Sequence, residues 1–231
     1  MANAPMRIDV ITPFPAMFNG FAGESMMRRA VRIGAVAIRT VDPRDFARDV
    51  RRTIDDRPYG GGPGMLMKPE PLFEAIESVL TPDARVLLMA PAGARFDQAA
   101  ARRLSKESHL VFVCGHYEGI DERVREALVT ETLSIGDYVL TNGVLPAAVV
   151  VDAVVRLLPG VLGGGEEATT GESFTTNLLE YPQYTRPPVY RGMRVPQVLQ
   201  DGDHAKVAAW KREKALRLTK RKRPDLVGAD N

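Results

Sequence analysis

Short unbroken apolar runs alternate with stretches of helical spacing through the first two-thirds of the chain. Residues 7–12, 35–41, 85–90, 109–114 and 133–135 read as strands, most of them rich in Val, Ile and Leu. Continuous rather than alternating apolarity suits a parallel sheet covered on both faces. Helical spacing fills the gaps. Residues 69–80 put Leu72, Ile76 and Val79 or Leu80 on one face, and 97–106 and 120–127 follow. Strands alternating with helices predict an α/β domain. The longest helix is expected to begin near Pro146, a favoured first-turn residue. It should run through 147–158, where Pro159-Gly160 stops it.

The pattern then changes. Residues 163–171 hold four glycines and almost no large apolar side chain, and 163–177 read as a flexible interdomain linker. This divides the chain into residues 1–162, the linker, and a small helical domain at 178–231. Three prolines between 181 and 188 forbid a regular helix there. Asp203 is placed to cap a helix through Leu218, with Val207, Trp210, Ala215 and Leu218 on one face.

Charge sharpens this division. The 231 residues carry 31 Lys or Arg and 29 Asp or Glu, a net of +2 that looks too balanced for a nucleic-acid binder. Residues 186–223, however, hold 12 basic and 3 acidic residues, a net of +9, which leaves −7 for the rest. Lys206, Lys211, Arg212, Lys214 and Arg217, followed by 220–223, form a candidate phosphate-binding face. A solvated helix with a frayed basic tail is the plainer alternative.

With 45% hydrophobic and 26% charged residues, the composition excludes a collagenous, coiled-coil or wholly disordered chain. One cysteine, Cys114, excludes an internal disulfide and fits a reducing compartment. No apolar run approaches the ~18 residues of a membrane span, and the first residues lack the plan of a signal peptide. A cytoplasmic setting away from membranes is expected.

Three segments carry candidate chemistry. Tyr59-Gly60-Gly61-Gly62-Pro63-Gly64-Met65 allows positive φ and close backbone approach, yet matches neither a Walker loop nor a dinucleotide fingerprint. A mobile surface loop would look the same. At 111–123 a buried strand ends at Gly115 and a polar, aromatic turn leads into a helix, and the carboxyl ends of parallel strands are where α/β sheets bind ligands. Glu118 and Asp121 could equally cap that helix. Residues 135–146 repeat the strand, glycine loop and helix order. Together they suggest a site built of backbone groups, able to recognise an adenine edge and a ribose. In the long helix Asp152 and Arg156 stand four apart, as an ordinary intrahelical pair would, and Glu172 could be a solvated loop acid. His116 has no partners at metal-ligand spacing, so no metal is expected. Elbow, HExxH and CxxC motifs are absent from the sequence.

Six motifs in order, YGGGPGM at 59–65, CGHYEGIDERV at 114–124, SIGDYVLTNG at 134–143, DAVVRLLPGVL at 152–162, YTRPPVYRG at 184–192 and DGDHAKVAAWKRE at 201–213, closely resemble the bacterial tRNA (guanine-N1)-methyltransferases of the SPOUT class. The resemblance runs from about residue 6 to 224. It implies an α/β parallel sheet with a deep C-terminal trefoil knot, a linker, and a small helical tRNA-binding domain. It further implies a homodimer with active sites shared between subunits. The implied cofactor is S-adenosylmethionine, leaving as S-adenosylhomocysteine. The implied substrate is the guanosine 3′ of the anticodon, in the tRNA anticodon stem-loop. Carried over by position, the cofactor site comprises Pro91, Gly115, Tyr117, Glu118, Ile135, Gly136, Tyr138, Leu140, Asn142, Gly143 and Pro146, while Arg156 and Glu172 are catalytic. Two departures stand out: Glu172 replaces an aspartate, and Asn177 replaces a glycine. The basic face alone would also serve a non-catalytic RNA-binding module, and the cofactor loops would also serve methylation of another RNA base.

Overall fold

Why a parallel sheet forms is visible in its middle strand, where all six residues are buried and side chains alternate between two apolar layers. The computed structural model describes residues 4–163 and 171–228, and the chain divides into two compact units, Met1–Gly165 and Glu166–Asn231. In the first unit the order is β1 (Met6–Ile11), α1 (Pro15–Ala22), α2 (Ser25–Arg32), β2 (Val36–Val41), β3 (Asp55–Asp56), β4 (Leu66–Met67) and α3 (Pro69–Glu77). It continues with β5 (Ala84–Arg95), α4 (Gln98–Leu104), β6 (His109–Cys114), α5 (Glu122–Leu128), β7 (Glu131–Ser134) and α6 (Val144–Val155). Five strands make one parallel sheet in the order β2-β1-β6-β5-β7, and β3 and β4 pair antiparallel beside it.

Leu110, Phe112 and Cys114 of β6 enter a layer with Phe18 of α1, Met27 of α2 and Val150 and Val154 of α6. Val111 and Val113 enter the opposite layer with Leu72 and Ile76 of α3 and Val124 of α5. Both faces are therefore covered, as the unbroken apolar runs require.

The boundaries differ from the sequence reading in instructive ways. Strand β5 does not stop at Ala90 but reaches Arg95 after a break in its register with β7: Met89 and Ala94 both pair with Leu133. Pro91 thus lies inside an irregular extended stretch rather than in a free loop. Helix α6 starts at Val144 with Gly143 as its N-cap residue, and Asn142, one place earlier, accepts the Val144 N–H on its Oδ1 at 2.9 Å. It ends at Val155, with Arg156 as its closing residue. Helices α1 and α2 fill residues to which the apolar pattern assigns no element.

In the second unit, β8 (Val189–Tyr190) and β9 (Met193–Arg194) form a hairpin, and α7 spans His204–Lys222. Asp203 caps α7, its carboxylate accepting the Ala205 and Lys206 N–H groups, both at 3.1 Å. The helix runs four residues past Leu218, because Lys and Arg favour helix interiors and their charges suit its carboxyl end. Pro224 follows Arg223, at which α7 closes. Residues 164–170 of the linker lie outside the described residues. Residues 171–180 form hydrogen-bonded turns: Phe174 N–H donates to the Leu178 carbonyl at 2.8 Å, and Leu179 N–H to Thr219 Oγ1 at 2.9 Å. Asn177 holds φ +56°, a left-handed conformation that suits glycine best and asparagine better than most other residues.

Candidate functional site

Three loops leave the carboxyl ends of β5, β6 and β7, and glycines let their backbones nearly touch. A Cβ on Gly143 would stand 2.8 Å from the Cys114 Cα, and one on Gly93 would stand 2.5 Å from the backbone of Leu133. Real side chains do not approach backbone that closely, so both positions require glycine. Between the first pair, the Gly143 N–H donates to the Gly115 carbonyl at 2.9 Å, and His116 bridges to Asn142. The segment at 142–143 is thereby locked over the end of β6. Gly93 is a positioning residue that sequence reasoning passed over. Its only signal was a glycine two places after Pro91.

The glycine-rich loop joins the same region. Gly60, Gly61, Gly62 and Gly64 all hold positive φ, and the Glu118 N–H donates to the Met65 carbonyl at 3.0 Å. The Glu118 side chain lies over Gly64, where a Cβ would meet its Oε1 at 2.3 Å. Met67 in turn accepts from the Asp121 N–H. The carboxyl end of the loop, Gly64–Met67, is thus held by the turn after β6, while Tyr59–Gly62 stand exposed with nothing close to the glycines, as a surface loop would.

Gly115, Tyr117, Glu118, Ile135, Gly136, Asn142, Gly143 and Pro146 thus fall on connected backbone. Tyr117 adopts φ +56°, exposing its ring, and Tyr138 folds over Gly136 with its hydroxyl donating to the Ile135 carbonyl at 3.4 Å. Leu140 is exposed on the same loop as Tyr138. Pro91 is exposed in the irregular part of β5, next to Gly93. Asn142, Gly143 and Pro146 also lie at the start of α6, so the helix start and the site share residues. Asp121 is a cap as well: its carboxylate accepts the Arg123 N–H at 3.0 Å and pairs with the Arg123 guanidinium, which holds its pKa below the ordinary range. Burial pushes the Cys114 thiol up in pKa, so it stays protonated and unreactive at neutral pH.

His116 brings a buried ring nitrogen to the site. Its ring packs edge-on against Phe14, 4.8 Å between centroids, and Tyr117, 4.3 Å. The buried Nδ1 has no hydrogen-bond partner. A buried polar atom without a partner is costly, and a polar ligand in these loops would supply one. Among the described residues no group of three or more His, Cys, Asp or Glu is arranged to hold a metal ion, and no helix is long and apolar enough to cross a membrane.

The two candidate catalytic residues fall in different units. Arg156 closes α6, its N–H donating to the Asp152 carbonyl at 3.1 Å. Glu172 lines a cavity of about 200 Å³ in the second unit, with Leu178, Tyr181, Lys211 and Arg212 among its walls. The Lys211 ammonium sits 4.7 Å from the Tyr181 ring centre.

The family model described as tRNA (Guanine-1)-methyltransferase TrmD matches residues 6–229. The chain belongs to this family. The match takes in every loop of the site and both candidate catalytic positions. Proteins named tRNA (guanine-N(1)-)-methyltransferase are similar to it along nearly their whole length. One from Geobacillus kaustophilus is 53% identical over 96% of this chain and 91% of its own. One from Moorella thermoacetica is 54% identical over 98% and 92%, and one from Lacticaseibacillus paracasei is 56% identical over 96% and 87%. Family membership thus makes the protein a methyltransferase with an S-adenosylmethionine-type methyl donor, on the α/β parallel sheet described above.

Proposed function

We propose that the chain transfers a methyl group from S-adenosylmethionine to N1 of the guanosine immediately 3′ of the anticodon in tRNA. The observation that carries this reading is the set of glycine-closed loops at the carboxyl ends of β5, β6 and β7, joined at Gly143–Gly115. They offer backbone groups and the unpartnered His116 Nδ1 where a nucleoside cofactor needs polar contacts. Pro91, the 115–118 turn and the 135–146 loop would hold it. When bound, S-adenosylmethionine supplies a methyl group on a positively charged sulfur, a good leaving group.

The chain must then place the guanine and make its N1 nucleophilic. N1 carries a proton, which Glu172 accepts as general base while the N1–CH3 bond forms. Arg156 stabilises the charge that builds on O6, and its guanidinium keeps its own charge throughout. A carboxylate is a weak base for so weak an acid, so the two residues depend on each other. Glutamate reaches one C–C bond, ~1.5 Å, further than the aspartate it replaces.

In this reading residues 1–162 carry the methyltransferase site, 163–177 link and complete it, and 178–231 grip the anticodon stem-loop. A trefoil knot is supported by the backbone approaches at Gly93 and Gly143. A homodimer with shared sites is supported by the exposed apolar side chains of Val139, Leu140, Leu145 and Val149 beside the cofactor loops, and a cytoplasmic setting by tRNA as the substrate of the family.

The test is single-turnover methylation of an unmodified tRNA transcript, with the product base located by nuclease digestion and mass spectrometry. Glu172→Gln and Arg156→Ala should each slow methyl transfer about 100-fold or more while leaving donor affinity unchanged. Near-normal transfer by Glu172→Gln would remove it as the base. No methyl incorporation would leave an RNA-binding module, and a methyl group elsewhere would mean another target base.

A further inference from the structure

Helix α2 buries Met27 and Ala30 and turns Arg28, Arg29 and Arg32 outward. With Ser25, these three side chains line a cavity of about 350 Å³. Several arginines of this unit meet carboxylates closely: Arg48–Glu74 at 2.6 Å, Arg103–Glu131 at 2.7 Å and Arg123–Asp121 at 2.8 Å. Among the described residues Arg51, Arg57, Arg95 and Arg102 do not, but the triad differs from them in gathering three guanidiniums along one helix face around one cavity. Glu24 pairs with Arg28 at 4.0 Å, both side chains exposed, and among the described residues no carboxylate pairs with Arg29 or Arg32. Arg28 and Arg32 also stand four apart on one helix, where like charges repel.

One member of the triad also reaches the segment that follows α6. Arg29 Nη2 reaches the Gly160 carbonyl at 3.5 Å. Ile33, just past α2, packs close to Gly160, where an added Cβ would lie 3.7 Å from its Cδ1. Gly160 is four residues beyond Arg156, so by chain length the two Cα atoms are at most ~15 Å apart. Three guanidiniums around a shared cavity, with one exposed carboxylate at 4.0 Å as their only ion-pair partner among the described residues, match phosphate oxygens, for which the planar fork is well suited.

We propose that Arg28, Arg29 and Arg32 form a phosphate site on the methyltransferase unit that holds the sugar–phosphate backbone of the tRNA substrate. This rests on the tRNA reading above. It places an RNA contact in the unit whose overall charge gave no hint of one. The bland alternative is that Arg29 and Arg32 merely favour the dipole at the carboxyl end of α2.

The experiment measures tRNA binding by the full chain against salt, with donor affinity and Tm as controls. Arg28→Gln/Arg32→Gln should weaken tRNA binding about tenfold. It should also flatten the slope of log K against log salt by about 1.4 to 1.8, as expected for two lost phosphate contacts. Donor affinity should not move. Arg28→Lys/Arg32→Lys should keep the slope, since each charge remains. An unchanged slope and affinity in the Gln pair overturns the site, as does a lowered Tm with equal weakening in both pairs. Failure of the wild-type chain to bind or methylate tRNA would sink the parent reading instead, and it is seen before any variant is made.

Discussion

The two units are built on opposite economies of burial. The first packs two apolar layers against a parallel sheet and closes its loops by backbone contact. In the second, Ala215 and Thr219 are the only buried residues among those described. It is held by a capped helix, the Thr219 hydroxyl donating to the Ala215 carbonyl at 2.7 Å, and aromatic–cation contacts such as Lys214 over Trp210. A site that must fix a small cofactor needs rigid surroundings. A surface that meets a polyanion needs charge, and the hydrophobic effect contributes little to it. The difference teaches that stability and RNA affinity should respond to different residues.

The largest expected effect breaks the core. Phe112→Ala, at the centre of β6, should cost about 3–5 kcal/mol, a fall in Tm on the order of 10 °C. Trp210→Ala on half-buried α7 should shift Tm far less. Equal losses in differential scanning calorimetry would erase the contrast. Next comes the closed loop. Gly143→Ala forces its Cβ into the Cys114 backbone, costing about 1–3 kcal/mol as overpacking does. Donor binding measured by calorimetry should fall with it. Retained donor affinity would show that the 142–143 crossing does not shape the site.

Charge in the second unit should act the other way. Neutralising Lys220, Arg221 and Lys222 together with glutamine should flatten the salt dependence of tRNA binding by about 2 to 3 and leave the core transition where it was. A steep slope surviving in that variant would move the RNA contact elsewhere. The smallest effect concerns the cap. Asp203 is held below its ordinary pKa, chiefly by the backbone N–H of Lys206. Its contribution to α7 is therefore present above the unfolded value of ~3.9 and fades as pH falls through the lower folded value. The gap in helix stability between wild type and Asp203→Ala, followed by circular dichroism, should narrow from pH 5 to 2. A constant gap would mean that the carboxylate charge adds nothing.

Much of this organisation was legible beforehand, for physical reasons that can be named. The buried strand at 109–114 reads correctly because apolarity on both faces leaves a local mark, whereas 36–41, an edge strand with only Val36 buried, shows itself through its Val and Ile content alone. The cap at Asp203 read correctly because capping needs a residue type at one position. The extension of β5 past Pro91 did not, since proline argues against a strand and only pairing with β7 overrides it. The sequence pattern puts the start of α6 near Pro146, two residues late, because a first-turn proline is a strong local signal and the bond from Val144 N–H to Asn142 leaves none.

By itself the sequence determined the α/β order of elements, the charge asymmetry hidden in a net of +2, and the family, through six motifs in order. Only the tertiary structure decided that Gly143 lies on Cys114, that Gly93 crosses Leu133, and that Arg29 reaches Gly160 across 131 positions of chain. Periodicity and capping act between neighbours within a few residues. Close approach of distant backbone depends on register and crossing, which no local pattern encodes.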